Sequence, residues 1–443
     1  MGKFVLLGSD ALLFALIAVV ALALWWARSQ EHLRHAMGRV AASGTGMAAA
    51  TVLAAFLLVA AIDSVHYRPR LEGRQDNYAV DVVSALDALL APLKSHTEKT
   101  YSAPLATHMF AREMQEDGGW AYPRLKYGGA HLGKDEAGRD ADVAGTALAG
   151  LASGALLAAL LWLAAGPLRR RHPAVAWTSA FATLGAMLLA AGPIVALAHG
   201  YHVFGTDKVG QDVLYLALKS IRTGVVIGTL TTLIMLPAAV LLGIVAGYVG
   251  GWVDDVIQYL YTTLNSIPGV LLIAAAVLMM QVVIDTHPGW FATSAERADA
   301  RLLALCAILG VTSWTGLCRL LRGETLKLRE MEYVQAARAF GVSKLAIMLR
   351  HILPNLMHIV LISLVMDFSG LVLAEAVLSY VGIGVDPNTI SFGTMINAAR
   401  LELAREPMVW WSLAAAFSFM FVLVLAANLF ADVVRDAFDP RAV

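Results

Sequence analysis

Two carboxylates, Asp367 and Glu375, sit inside an apolar run at 356–379 where almost nothing else is charged. An ionisable group in such a run is expensive and usually functional. Asp367 is mid-run. Either it lines a polar path and meets a cation such as a substrate amine, or it is a protonated or hydrogen-bonded carboxyl held between helices. Glu375, toward the far end of the run, is the second pathway candidate. His199 and His202 have a spacing that one metal could bridge, but no third ligand is near, so no metal site is expected. Cys306 and Cys318 share another apolar run; twelve helical residues separate them by roughly 18 Å, too far to bridge, and they read as small buried hydrophobes. Patterns of hydrolytic chemistry are absent: there is no His-Glu-x-x-His and no Gly-x-Ser-x-Gly. Nor is there a Gly-x-x-x-x-Gly-Lys-Ser/Thr loop, so the chain does not itself cradle nucleotide phosphates in the usual way. Gly247 to Gly251 is glycine-rich but lacks the lysine.

The elements that position these groups are membrane spans. Of 443 residues, 58% are hydrophobic and 15% charged, and the mean hydropathy is +0.67. That is too apolar for an ordinary soluble domain. Formal net charge is zero, so nothing points to nucleic acid. At about 20 apolar residues per crossing, the spacing predicts nine transmembrane helices: 5–26, 46–63, 143–165, 175–198, 223–247, 264–284, 302–320, 356–379 and 409–431. Lys3 before an apolar run with Ala21-Leu22-Ala23 has the form of a signal peptide. Trp25 and Trp26 follow like an interfacial anchor, however, with Arg28, Arg34 and Arg39 beyond, so the reading is an uncleaved helix.

Three basic loops fix the orientation. Loop 28–45 carries three arginines, 166–174 carries Arg169, Arg170 and Arg171, and 319–352 carries seven basic residues against Glu324, Glu330 and Glu332. With nine alternating helices all three share one face, which the positive-inside rule makes the cytoplasm. The N-terminus is then outside and the C-terminus inside.

Segment 64–142 is the one sizeable soluble region and falls outside. Val82, Val83, Leu86, Leu89 and Leu90 predict an amphipathic helix. About 80 residues make a small independent core, which leaves a cap on the membrane part or a docking site for an external partner.

The stretch Tyr333 to Pro354 interrupts this apolar chain. Glu332 to Phe340 predicts a helix in which Ala336 and Ala337 let another surface approach. Gly341 ends it as a capping glycine does. Ser343 caps a second, amphipathic helix from Lys344, with Leu345, Met348, Leu349 and Ile352 on one face and Pro354 at its bend.

The order Gln335-Ala336-Ala337, three residues, Gly341, ten residues, Ile352-Leu353-Pro354 resembles the EAA loop of ABC importer permeases. Gln335 stands for the usual glutamate, and His351 where isoleucine is usual. The run Arg350 to Asn355 looks like the oligopeptide/dipeptide branch, and four more segments resemble it in order. These are Phe204 to Leu214 (with Gln211 for arginine), Ala246 to Asp254, Ala374 to Val385 and Asp432 to Arg441. The resemblance covers roughly 200–443.

It implies an all-α integral membrane protein with a six-helix type I ABC permease core at 171–443, coupling loop 324–354 included. Three extra transmembrane helices (two within 1–63, one in 143–170) and the external segment precede it. It further implies a second homologous permease subunit, one or two cytoplasmic ATPase subunits that bind ATP and magnesium, and an extracytoplasmic solute-binding protein. The chain itself is a non-catalytic, lipid-embedded permease without its own cofactor. Gln335, Ala336, Ala337, Arg338, Gly341, Leu353 and Pro354 are the expected ATPase-coupling residues. Gly243-x-x-x-Gly247 suits close helix packing. Peptides are the expected cargo; nickel or another solute, or a non-transporting adaptor role, are the alternatives.

Overall fold

The computed structural model describes residues 3–438 apart from 28, 30, 71–77, 80, 115–117, 134–137 and 292. Arg28 and Asp439 to Arg441, named above, lie outside the described residues, as does the side chain of Trp26. Among the described residues, eight helices are long and apolar enough to cross a membrane, and Gly8–Leu22 gives a shorter apolar stretch. The chain is an all-α membrane protein.

In chain order, β1 (Lys3–Val5) leads into α1 (Gly8–Ala27), α2 (Glu31–Ala42) and α3 (Gly44–Asp63). The cap that follows holds β2 (His66–Arg68), β3 (Val83–Ser84), α4 (Ala85–Leu89), α5 (Ala91–Ser95) and the hairpin β4 (Glu113–Met114) with β5 (Trp120–Ala121). Next come α6 (Arg139–Ala164), α7 (Gly166–Arg171) and α8 (Trp177–Leu197). The remainder comprises α9 (Val213–Val249), α10 (Gly251–Ser266), α11 (Gly269–Thr286), α12 (Ser294–Ser313), α13 (Thr315–Arg329), α14 (Glu332–Ala339), α15 (Lys344–Ile347), α16 (Leu353–Val381), α17 (Phe392–Arg400) and α18 (Trp411–Phe438). β1 pairs antiparallel with β2, Phe4 opposite Tyr67, so the N-terminus shares a face with the cap.

α9, the most buried span, is the post around which the others stand; it packs on α3, α12, α13, α16 and α18. It runs 37 residues and begins ten residues before the 223–247 predicted from hydropathy, because Asp212 caps it by accepting from the backbone N–H of Leu214 at 2.8 Å. The predicted helix across 82–90 is corrected too. Val83–Ser84 is a strand, and Ser84 opens a capping box with Asp87, so the helix starts at Ala85. Leu89, expected on its apolar face, is 67% exposed.

A seam of glycines joins α6 to α8. A Cβ on Gly154 would lie 2.4 Å from the Leu188 carbonyl oxygen, and one on Gly192 would lie 2.2 Å from that of Gly150. Backbones this close explain the small residues.

Buried charge ties the N-terminal part to α9. Arg222 donates to Asp10 at 2.6 Å, to Ser9 at 2.7 Å and to Ser64 at 3.1 Å. Lys219, one turn earlier, reaches Asp63 at 2.6 Å and Asp87 at 3.0 Å. Neither cation would tolerate an apolar setting alone, so α1, α3 and the cap are counterions of the post.

The cap closes on the outer ends of α9 and α18 by backbone contacts. Gly210 (φ +78°) sits where a Cβ would lie 1.9 Å from the Glu98 carbonyl oxygen. Thr206 donates its N–H to Ser102, and the Trp411 indole donates to the Thr206 carbonyl at 2.9 Å. Buried His202 bridges the two parts, contacting Asp212 at 2.7 Å through Nδ1 and Glu98 at 3.4 Å through Nε2. Burial alone would lower its pKa, but the two carboxylates outweigh it and raise it to about 9. Burial likewise pushes Glu98 up, yet His202 and the N–H groups of Lys126, Tyr127 and Gly128 bring it down to about 2.

The histidine's contribution is therefore complete below its ordinary 6.5 and lost as pH rises through about 9; the glutamate's is complete above 4.5 and lost as pH falls through about 2. His202→Gln should loosen the cap by on the order of 2 kcal/mol. The readout is faster proteolysis of the cap at neutral pH, with the unmutated protein approaching the same rate above pH 9. Equal protection of both proteins would contradict the bridge.

Candidate functional site

The interrupting stretch forms a helix, a glycine turn and a second helix. In α14 only Val334 is buried (2% exposed). Gln335, Ala336, Arg338 and Ala339 face solvent, and Ala337 is half-buried. The turn is a Schellman motif: Val342 N–H bonds the Ala337 carbonyl and Gly341 N–H the Arg338 carbonyl, both at 3.1 Å. Gly341 has φ +77° and open space around it, so backbone conformation, not crowding, requires glycine there. Ser343 then caps α15 by accepting from Ala346 N–H at 3.3 Å.

The second helix departs from expectation. Met348–Ile352 is one π turn, in which Leu353 N–H reaches back five residues to Met348. Pro354 has no N–H and its ring would crowd the Arg350 carbonyl, so widening the turn lets the chain run on into α16. The extra residue rotates the apolar face. Ile347 and Ile352 are buried at 1% and 0%, whereas Leu345 and Leu349, expected on that face, are exposed. Leu353 is half-buried and Pro354 exposed.

Val334, Ile347 and Ile352 enter one cluster with Met235 and Ala239 of α9 and Leu317 and Leu321 of α13. Beside it, α9 and α13 touch at backbone distance. A Cβ on Gly243 would be 2.8 Å from the Cys318 carbonyl oxygen, and one on Gly247 would be 2.7 Å from that of Arg322. Arg322 forks onto Asp254 of α10 at 2.5 and 2.7 Å, which holds that carboxyl below its ordinary range. Arg329 reaches the Gly247 carbonyl at 3.4 Å. The element is thus braced to the post of the fold.

Its outer side is bare. Phe340 is 87% exposed, and a groove of about 770 Å³ runs between α14 and the end of α9, with Tyr248, Gln335, Arg338 and Lys344 on its walls. Gln335 donates to the Glu330 carbonyl at 3.1 Å, a local bond that does not require a charge.

The carboxylates separate. Glu375 is enclosed (1% exposed) and accepts from Ser379 at 2.6 Å and Ser391 at 2.9 Å, tying α16 to the cap of α17. Asp367 is half-buried with no hydrogen bond or ion pair among the described residues, and Met366, Gly370 and Leu373 beside it are exposed. Among the described residues His199 bonds the Val195 carbonyl alone, and His202 belongs to the cap bridge. The Arg322–Asp254 fork went unread in the sequence, where Arg322 counted only as a loop charge.

Residues 239–443, the stretch holding this element, match the family of binding-protein-dependent transport system inner membrane components. The oligopeptide transport system permease protein OppC of Mycobacterium tuberculosis is 30% identical over 241 residues, 54% of this chain and 76% of the relative. The chain belongs to this family of transport permeases. The dipeptide transport system permease protein DppC of Lactococcus lactis is 31% identical over 54% of this chain and 64% of its own. The glutathione transport system permease protein GsiD of Pectobacterium atrosepticum is 31% identical over 54% and 73%. In this permease the family match leaves out residues 1–238, which include the cap and the extra helices.

Gly341→Val should therefore abolish transport while the permease still inserts, because a branched residue resists the left-handed turn. Gly341→Asn, tolerated in that region, should keep most of the uptake. Equal uptake by both variants would sink the turn's role.

Proposed function

We propose that this permease forms half of the membrane path of an ATP-driven importer for peptides or similar small solutes. One observation carries the reading: an exposed helix–glycine–helix element, apolar at its tip, is braced against the post of the membrane domain. Such an element transmits force from a partner only if it cannot swing freely, and its anchors supply that stiffness. Gln335, Ala336, Ala337, Arg338 and Gly341 would meet a groove on a cytoplasmic ATPase, with Leu353 and Pro354 leading into α16. Closure of one or two such ATPases, which bind the ATP and magnesium, would then tilt α9, α13 and α16 together. Hydrolysis belongs to the ATPases, and a second permease completes the path. A solute-binding protein delivers cargo on the cap side. The basic loops support a reading with α14 in the cytoplasm and the N-terminus outside.

The peptide class is supported by the names of the relatives, which include oligopeptide, dipeptide and glutathione permeases. Asp367, unpartnered on an exposed stripe of α16, suits the ammonium of such a cargo; buried Glu375 suits a bracing role. Purification from native membranes in mild detergent is expected to bring down a second permease and at least one ATPase with a phosphate-binding loop. Recovery of the chain alone would overturn the importer reading. Asp367→Asn should lower uptake of peptides with a free amino terminus by about tenfold, the worth of one charged hydrogen bond, and spare acetylated ones. An unchanged ratio would remove Asp367 from the path.

A further inference from the structure

A half-open apolar chamber of about 390 Å³ lies between α3 and α8 on one side and α9 and α18 on the other. Phe56 of α3, Ala191 and Ile194 of α8, Leu218 of α9 and Phe419 of α18 form its sides, and Leu90 and Leu93 of the cap form its roof. His199 contributes the single polar side chain of the lining. The walls come from the last two to three turns of α3 and α8 and the first turns of α9. The chamber therefore reaches to about 15 Å from the cap-side end of the helices, at the depth of lipid tails. Exposed Ala191 and Val195 of α8 and Leu89 of the cap mark its mouth, on the apolar outer surface of a candidate membrane span.

What fills it follows from its chemistry. Water has almost no partners there, and an empty space this large forfeits the dispersion contacts of every wall. Its size is that of a small-ligand pocket, and the matter beside its mouth is hydrocarbon. At the membrane surface the chamber shares Leu93, Ala198 and His199 with a small polar cleft, lined also by His96, Tyr127 and Tyr201. His96 stacks on Tyr127 at 4.4 Å, and His199 Nδ1 bonds the Val195 carbonyl at 2.9 Å. Nε2 of His199 has no hydrogen bond among the described residues. A dry chamber at tail depth with polar groups at its surface end is the shape of an amphiphile site.

We propose that the chamber holds one acyl chain of a membrane lipid, with the polar head at the rim formed by His96 and His199. The chain would bridge α3 and α8 to α9 and α18, completing with hydrocarbon a contact that the protein leaves unfilled. The inference is independent of which solute is carried.

The test uses the full chain, purified in its native assembly and stripped by repeated detergent exchange. Native mass spectrometry is expected to show one acyl-bearing lipid per chain, and the released mass tells phospholipid from free fatty acid. Ala55→Phe and Ala191→Phe, which grow into the chamber, should reduce that lipid to background while leaving the unfolding temperature equal or higher. Lipid-free unmutated protein, or equal retention in both variants, would overturn the proposal. Should the variants fail to fold, unmutated protein delipidated further, until native mass spectrometry shows no bound lipid, can be titrated with dioleoyl phosphatidylglycerol or with oleate. A saturable rise in unfolding temperature near one per chain supports the site. No rise, or the same rise with the acyl-free headgroup glycerophosphoglycerol, contradicts it.

Discussion

The backbone contact between α9 and α13 is the constraint on which the rest depends. At Gly243 and Gly247 the two helices approach so closely that one added carbon would overlap a carbonyl oxygen of the neighbour. Contact at that range has no slack, because it cannot relax through side-chain rotamers. The Arg322–Asp254 fork adds α10, and Val334, Ile347 and Ile352 add the helices on either side of Gly341. The outcome is a lever made of helices, with an exposed Phe340 at its tip and the longest buried span as its shaft.

The other end of that shaft is held by different physics. Lys219 and Arg222 stand on α9 where apolar neighbours would be the simpler solution, and their counterions come from α1, α3 and the cap. Burying ion pairs is a poor route to stability but a good route to specificity, since a mispaired helix leaves a bare charge. The N-terminal helices are therefore integral to this permease. α6 is held differently, by its glycine seam with α8 and, at its first turn, by Arg139 on the Leu105 carbonyl and Asp142 accepting from Tyr201.

The spans were legible because hydrocarbon thickness sets a length that hydropathy reads directly. The helix–glycine–helix element was legible as well, since Gly341 and Ser343 act through local backbone geometry. Which residues anchor it was not. The π turn forced by Pro354 shifts the helical phase by one residue, so Ile347 replaced Leu345 and Leu349 on the inner face. Pairings such as Arg322 with Asp254 or Glu375 with Ser391 escaped for another reason: sequence shows which charges exist, not which meet. The cap was the least readable part. It is held by turns and by single contacts such as His202 with Glu98 and Asp212, none of which leaves a periodic trace.

The claim that force passes through a stiff element rests on one distance. Spin labels at Val249, the end of α9, and Ala339, the end of α14, measure it within the assembled transporter with and without a non-hydrolysable ATP analogue. The account predicts that this distance holds while the separation between corresponding sites on the two permease subunits changes. A shift of the 249–339 distance with the subunit separation unchanged would show the element swinging on its own, and the lever would be wrong.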